Sequence, residues 1–349
     1  MITLAQIGCG YWGPNLLRNF SALPEARVKY VVEASAERRA YVRANYPKVE
    51  AVDRLETALD DPAVQAVVLA TPAATHAELA RRALESGRHV FVEKPLALAI
   101  GEVDRIDALA RARKLTLMVG HTFLYNPAVL ALKEIIDRGD LGRIYYLYAQ
   151  RLNLGVVRAD VNALWNLAPH DISIFNFLLG AAPVAVTAQG ADFLQPGIED
   201  VVFATFEYPG GIRASLQVSW LDPQKVRKVT LVGSRRMVVY DDVADDKLAI
   251  YDKGIDAPGR DHVALPFDQP GTARLVYRSG EIQRPKLPPT EPLAAAARDF
   301  IEAIRDRRPP RADAAGGRAV VAALQAASLS LRENSRRVQL EEILRTSAA

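Results

Sequence analysis

Cysteine is almost absent. Cys9 stands alone in 349 residues, which excludes an intrachain disulfide and a thiolate metal site. Histidine is scarce too, and the five imidazoles at positions 76, 89, 121, 170 and 262 follow no metal-ligand spacing, so no metal is expected. Long apolar runs are missing: none approaches the roughly 20 residues of a membrane span. The chain opens directly on a buried-strand pattern, "ITLAQIG", which leaves no room for a signal peptide. These absences predict a soluble, cytoplasmic protein with no membrane partner. Nor does one sign of charge dominate. The formal net charge is +3 and no block of five or six like charges occurs. A nucleic-acid-binding protein would cluster its basic residues, so nucleic acid is not expected as a partner. The acidic run Asp241, Asp242, Asp245 and Asp246 reads as a solvated turn at a strand end.

What is present is a globular composition, half hydrophobic and 24% charged, over a length that suits two domains better than one core. Through the first third, short β-branched runs ("ITLAQI", "RVKYVVE", "VQAVVLA", "HVFVE", "LTLMVG") alternate with Ala/Glu/Arg-rich segments. Gly87 caps one of those segments as a helix C-terminus. Strands apolar on both faces and separated by helices predict a doubly wound α/β domain with a parallel sheet, over residues 1–122.

The pattern then changes. A helix at about 127–138 precedes long alternating strands, "RIYYLYAQRLN", "DVVFATFEY", "IRASLQVSW", "KVRKVTLVG" and "RMVVYDD". Tyr208 to Gly211 joins two of them as a hairpin. Consecutive strands without helices between them predict a mostly antiparallel sheet in an α+β domain over 123–349. Residues 252–290 read as loops with short edge strands, and helices at about 291–307 and 313–333 close the chain.

The strongest local signal is "AQIGCGYWGPN", which spaces Gly8, Gly10 and Gly13 as G-x-G-x-x-G between a strand and a helix opened by Pro14. Gly8 permits the tight turn, Gly10 lets backbone approach a pyrophosphate, and Gly13 lets helix and strand pack closely. Tyr11 and Trp12 fall within the same turn. The second strand ends at Glu33, followed by Ala34. A carboxylate there accepts both hydroxyls of an adenosine ribose and repels a 2′-phosphate, which favours NAD, while Arg38 keeps NADP open. Ligands of such sheets bind at the carboxyl ends of the strands. Ala70, Thr71, Pro72 and His76 in "LATPAATH" lie at one such end, and Glu93 and Lys94 in "FVEKPLA" at another. Lys94 is placed to polarise a substrate oxygen or to help take its proton. His76 reads equally as a cofactor contact or as a helix-start residue bonded to backbone. His121 ends the last strand and is expected on the nicotinamide side of the cleft.

In "ALWNLAPHDISIF", Pro169 reads as the first residue of a buried helix. His170 then stands at a helix start, either as a satisfied core histidine or as a proton-transfer group. The stretch alone does not decide between them.

"GCGYWGPN", "TPAATH", "EKPLA", "GHTFLYNPAV" and "WNLAPHD" together resemble the Gfo/Idh/MocA family of NAD(P)-dependent oxidoreductases. The resemblance runs over nearly the whole chain. It implies a Rossmann domain followed by a domain built on a large, open, mostly antiparallel sheet, through which members assemble as dimers or tetramers. It implies oxidation or reduction of hydroxyl carbons of sugars, inositols and nucleotide-linked sugars. The E-K-P lysine falls on Lys94, often before a cis proline, and the catalytic histidine on His170. One departure stands out: the family's frequent aspartate four residues before the histidine is here Asn166, which cannot relay a proton but can bind a hydroxyl. Asp171 reads as a first-turn acid favoured by the helix dipole. Tyr125, Arg151, Asn153 and Asn166 join Lys94 and His170 as candidate substrate residues. Trp220, Lys225 and Arg227 suit a nucleotide-sugar diphosphate or an oligomer interface. The expected activity is hydride transfer on a secondary carbon of a sugar, with UDP-linked amino sugars the best local resemblance. A glycosidase using NAD without net redox change and a non-catalytic dinucleotide sensor are the alternatives.

Overall fold

The computed structural model describes residues 1–256 and 276–346; His262 lies outside them. The first sheet contains β1 (Ile2–Ile7), β2 (Ala26–Val32), β3 (Glu50–Val52), β4 (Ala66–Leu69), β5 (His89–Val92) and β6 (Leu117–Val119). All pairings are parallel and the order is β3-β2-β1-β4-β5-β6. This is the order of a dinucleotide-binding sheet, whose switch point lies between β1 and β4. Helices α1 (Gly13–Ala22), α2 (Ala36–Asn45), α3 (Leu55–Leu59), α4 (His76–Glu85) and α5 (Ile100–Ala112) make the crossovers. β4 is buried at every position, as a sheet covered on both faces requires. Gly87, at a φ of +79°, ends α4 as expected.

Among the described residues the second sheet has nine strands. They are β7 (Ile144–Leu152), β8 (Ala185–Ala191), β9 (Val201–Glu207), β10 (Arg213–Ser219), β11 (Val226–Gly233), β12 (Met237–Asp241), β13 (Leu248–Asp256), β14 (Val276–Gln283) and β15 (Val338–Gln339). Their order is β14-β13-β12-β11-β7-β10-β9-β8-β15, and only β7 with β10 is parallel. The expected mostly antiparallel sheet is therefore present, with the Tyr208–Gly211 turn joining β9 to β10. β13 and β14 are longer than the short edge strands read from the sequence.

Among the described residues, five helices follow the first domain's five. α6 (Pro127–Asp137) and α7 (Ala163–Leu179) pack on the second sheet, with α9 (Ala314–Arg332) across β8 and α10 (Leu340–Thr346) beside it. α8 (Pro292–Asp306) instead crosses back to the first sheet, where Phe300 meets Phe20 and Phe91 edge-on at 6.2 and 5.8 Å. α9 corrects one expectation: it is long and apolar enough, by length and composition, to cross a membrane. It serves instead as a core helix, with Val320, Val321, Leu324 and Ala327 fully or nearly fully buried.

α7 corrects another. It begins at Ala163, where the Asn162 side chain accepts the Trp165 N–H at 3.1 Å, so Pro169 lies inside the helix and not at its start. Pro169 has no N–H for the Trp165 carbonyl, which opens the ladder in the turn that precedes His170.

Candidate active site

The turn after β1 is shaped for a dinucleotide. Gly8 has a φ of +90°, and a Cβ there would come within 2.5 Å of the Ala70 carbonyl oxygen. A Cβ on Gly13 would meet the Gly8 carbonyl oxygen at 2.8 Å, so strand and helix approach closely, as the motif predicts. A Cβ on Gly10 would meet nothing within 4 Å, which leaves open space before the N-terminus of α1. Glu33 ends its strand with both carboxylate oxygens in place: Oε2 accepts the Cys9 N–H at 2.6 Å and Oε1 the Ser35 N–H at 2.8 Å. These residues fit NAD, with pyrophosphate at the helix start and ribose at Glu33. Tyr11, Ala34, Pro72 and Arg38 are exposed around this edge, and Thr71 is half-buried. Arg39, which the sequence reading passed over for its neighbour, donates from Nη1 to the Glu33 and Ala34 carbonyls, both at 2.7 Å.

At the end of β5 three links converge. The Trp12 indole N–H donates to Glu93 Oε1 at 2.9 Å, joining the phosphate turn to this strand end. The Lys94–Pro95 peptide is cis. Lys94 Nζ donates to the main-chain carbonyl of Asn166 at 2.8 Å, in the α7 turn that carries His170. Asn166 thus meets Lys94 through its backbone, which no side-chain reading of that position could have found. Burial raises the Glu93 carboxyl and lowers the Lys94 ammonium, while the Glu93 charge pulls Lys94 partly back up.

His121 is 2% exposed, just past β6, and neither ring nitrogen has a partner among the described residues. Burial pushes it down to about 3, with the Lys94 charge adding to the effect. His170 also lies well below its usual value, from burial first and then from Lys94, Arg151, His121 and Arg227. Its Nδ1 is buried without a partner among the described residues, and its ring packs against Phe123 at 4.9 Å. Lys94, His121 and His170, far apart in sequence, are therefore close enough to act on one another's charge.

Other expected site residues are engaged elsewhere. The His76 nitrogens lie 2.7 and 2.9 Å from the Pro95 and Thr71 carbonyl oxygens, the backbone-bonded alternative. Tyr125 is buried, with its hydroxyl donating to Asp299 at 2.6 Å and accepting from the Ala312 N–H. Arg151 is held by Asp171, with Nε to Oδ2 at 2.6 Å and Nη2 to Oδ1 at 3.0 Å. Arg151, a candidate substrate residue, lies on the face of β7 that α7 covers. Asp171 is consequently a buried mid-helix partner and not a first-turn acid. Asn153 follows β7 with its amide against Gly155. Trp220 is 1% exposed in the core, which removes it as a stacking surface for sugar. Arg227 sits 3.5 Å from Asp242, and Lys225 is exposed.

Residues 2–121 match the model of an oxidoreductase family with an NAD-binding Rossmann fold, and residues 129–239 match the GFO/IDH/MocA C-terminal domain. A UDP-N-acetylglucosamine 3-dehydrogenase of Acidithiobacillus ferrooxidans is 29% identical over 91% of this chain and 93% of its own length. Its solved structure superposes with a TM-score of 0.77 over 96% of this chain and 99% of that one, at 26% identity. An inositol 2-dehydrogenase of Saccharopolyspora erythraea is 29% identical over 62% of this chain and 66% of its own. GenD2 from gentamicin A biosynthesis, solved in complex with NAD, has a TM-score of 0.80 at 25% identity, covering 97% of this chain and 96% of that one.

Proposed function

The chain belongs to the Gfo/Idh/MocA family of NAD-binding oxidoreductases acting on CH–OH groups, and within it we propose a dehydrogenase of a nucleotide-linked amino sugar of the UDP-N-acetylhexosamine class, with Lys94 and His170 moving the proton. The observation that carries the reading is the 2.8 Å bond from Lys94 Nζ to the Asn166 carbonyl. It brings the lysine at the cofactor edge of one sheet to the helix turn of His170 on the other. The substrate class rests on the 3-dehydrogenase likeness, which spans both halves of the chain, whereas the inositol dehydrogenase likeness covers less of it. Division of labour follows: residues 1–122 bind the dinucleotide, and 123–349 bind substrate and assemble the oligomer.

NAD, when bound, supplies the hydride acceptor for the alcohol carbon. Glu33 and the start of α1 would hold its ribose and pyrophosphate, and Trp12 ties that turn to Glu93. Lys94, kept below its ordinary value by burial, accepts or shares the hydroxyl proton, and its charge stabilises alkoxide character at the same oxygen. His170, held neutral, offers a second acceptor at that oxygen. Glu33 favours NAD, with NADP as the second cofactor tested. The protein is assigned to the cytoplasm, without a membrane or nucleic-acid partner, as a homodimer or homotetramer.

The test is reduction of NAD or NADP, followed at 340 nm, over UDP- and dTDP-sugars, free sugars and inositols. NADH formed with a UDP-N-acetylhexosamine supports the reading. NADH formed with inositols alone moves the substrate class, and sugar release without NADH replaces the dehydrogenase by a glycosidase.

A further inference from the structure

We infer that Arg151 and Asp171 are positioning residues that fix the His170 imidazole through Phe123; the inference rests on His170 being a proton-transfer group. Arg151 and Asp171 are 5% and 1% exposed. A buried ion pair loses in desolvation much of what it gains in attraction, and a well-packed apolar pair stabilises a core as well or better. Its reason is then to be sought in what it holds.

The pair is bidentate, so it fixes both side-chain planes. Asp171 follows His170 directly on α7, and Arg151 comes from β7 in the sheet beneath. The turn bearing His170 cannot rotate about the helix axis without breaking that pair. Arg151 also lies over the Phe123 ring at 4.6 Å, and Phe123 meets the His170 ring at 4.9 Å and an interplanar angle of 61°. The contacts form a loop from Asp171 through Arg151 and Phe123 to His170, one residue from its origin.

A catalytic imidazole is commonly oriented by a carboxylate or carbonyl on its second nitrogen. His170 Nδ1 has no such partner among the described residues. At the position one turn earlier stands Asn166, whose carbonyl holds Lys94. Ring orientation is therefore set by packing against Phe123, and Phe123 is held by the guanidinium. The charged and titratable groups acting on His170 are Lys94 after β5, His121 after β6, Arg151 on β7 and Arg227 on β11, with Asp171 beside it on α7 neutralising Arg151. Their balance disfavours a proton on the ring and leaves it able to accept one.

The double variant Arg151→Met with Asp171→Leu exchanges the pair for apolar side chains. Selective carbon-13 labelling of histidine, in protein with NAD bound, then reads His170 directly by NMR. In the wild type the His170 ring signal should be single and narrow. In the double variant, with Phe123 no longer held by the guanidinium, it should broaden or split as the ring samples more than one orientation. With NAD and UDP-N-acetylglucosamine, kcat should fall at least tenfold while KM and NAD affinity stay within about twofold. An unchanged His170 ring signal in a folded, NAD-binding double variant overturns the inference, because a merely structural pair would alter only the melting temperature. If that variant does not bind NAD, Phe123→Leu, which leaves the ion pair intact, tests the Phe123 link by the same ring signal and the same fall in kcat. Full activity of His170→Ala would instead remove the underlying reading, a result the double variant cannot imitate.

Discussion

At Lys94, burial and a neighbouring carboxylate act in opposite directions. Burial disfavours the ammonium, and Glu93 favours it. For alcohol oxidation the accepting group must be unprotonated, so the acid limb of kcat/KM reports its release of a proton. Glu93→Gln removes the charge that stabilises the ammonium, and the limb should move to lower pH; a limb that stays or moves upward contradicts the account. Single residues were unevenly legible in the sequence. Gly8, Gly13, Glu33 and Lys94 lie where spacing put them, because each is defined by its place relative to a strand end. Arg151 and Tyr125 are engaged by Asp171 and Asp299, partners the sequence did not name, because which face of an element is covered depends on what packs there. The Asn166 contact was invisible, since a main-chain carbonyl carries no residue signature.

Among the elements, strand and helix periods in the first third and the long strands of the second sheet were readable from alternation alone. α7 was not placed correctly. Pro169 is a strong start signal in isolation, yet the Asn162 cap seven residues earlier prevails. The tolerance for proline inside α7 comes from packing of its apolar face, including Ile172, Phe175 and Leu178, on the second sheet. α8 was found at its length but its destination was not, because an amphipathic helix does not name the sheet it covers. Its Phe300 closes a cluster with Phe20 and Phe91 under the dinucleotide sheet. Phe300→Ala should lower stability by about 3–5 kcal/mol, from lost transfer energy and the cavity left behind. Urea unfolding measures this, and a loss below about 1 kcal/mol would mean that α8 does not hold the first domain together.

For the whole molecule, the second sheet has one face covered by α7 and α9, while its other face keeps Tyr146, Tyr148 and Phe203 exposed at 46%, 38% and 45%. These exposed aromatic side chains are where the proposed oligomer would assemble. Tyr148→Lys with Phe203→Lys should give a 38.2 kDa monomer by light scattering, and a wild type already monomeric would refute that surface. The composition could indicate two domains but not how the chain threads between them; only the folded chain brings a lysine after β5 to a carbonyl of α7. That meeting is the centre of the account, and it is tested most directly by steady-state NADH formation from the best sugar substrate in Lys94→Ala and His170→Ala, with NAD affinity measured alongside. Turnover should fall by about two orders of magnitude or more in each variant while NAD still binds. Full turnover in both variants, with NAD bound, would contradict the assignment of proton transfer to this cleft.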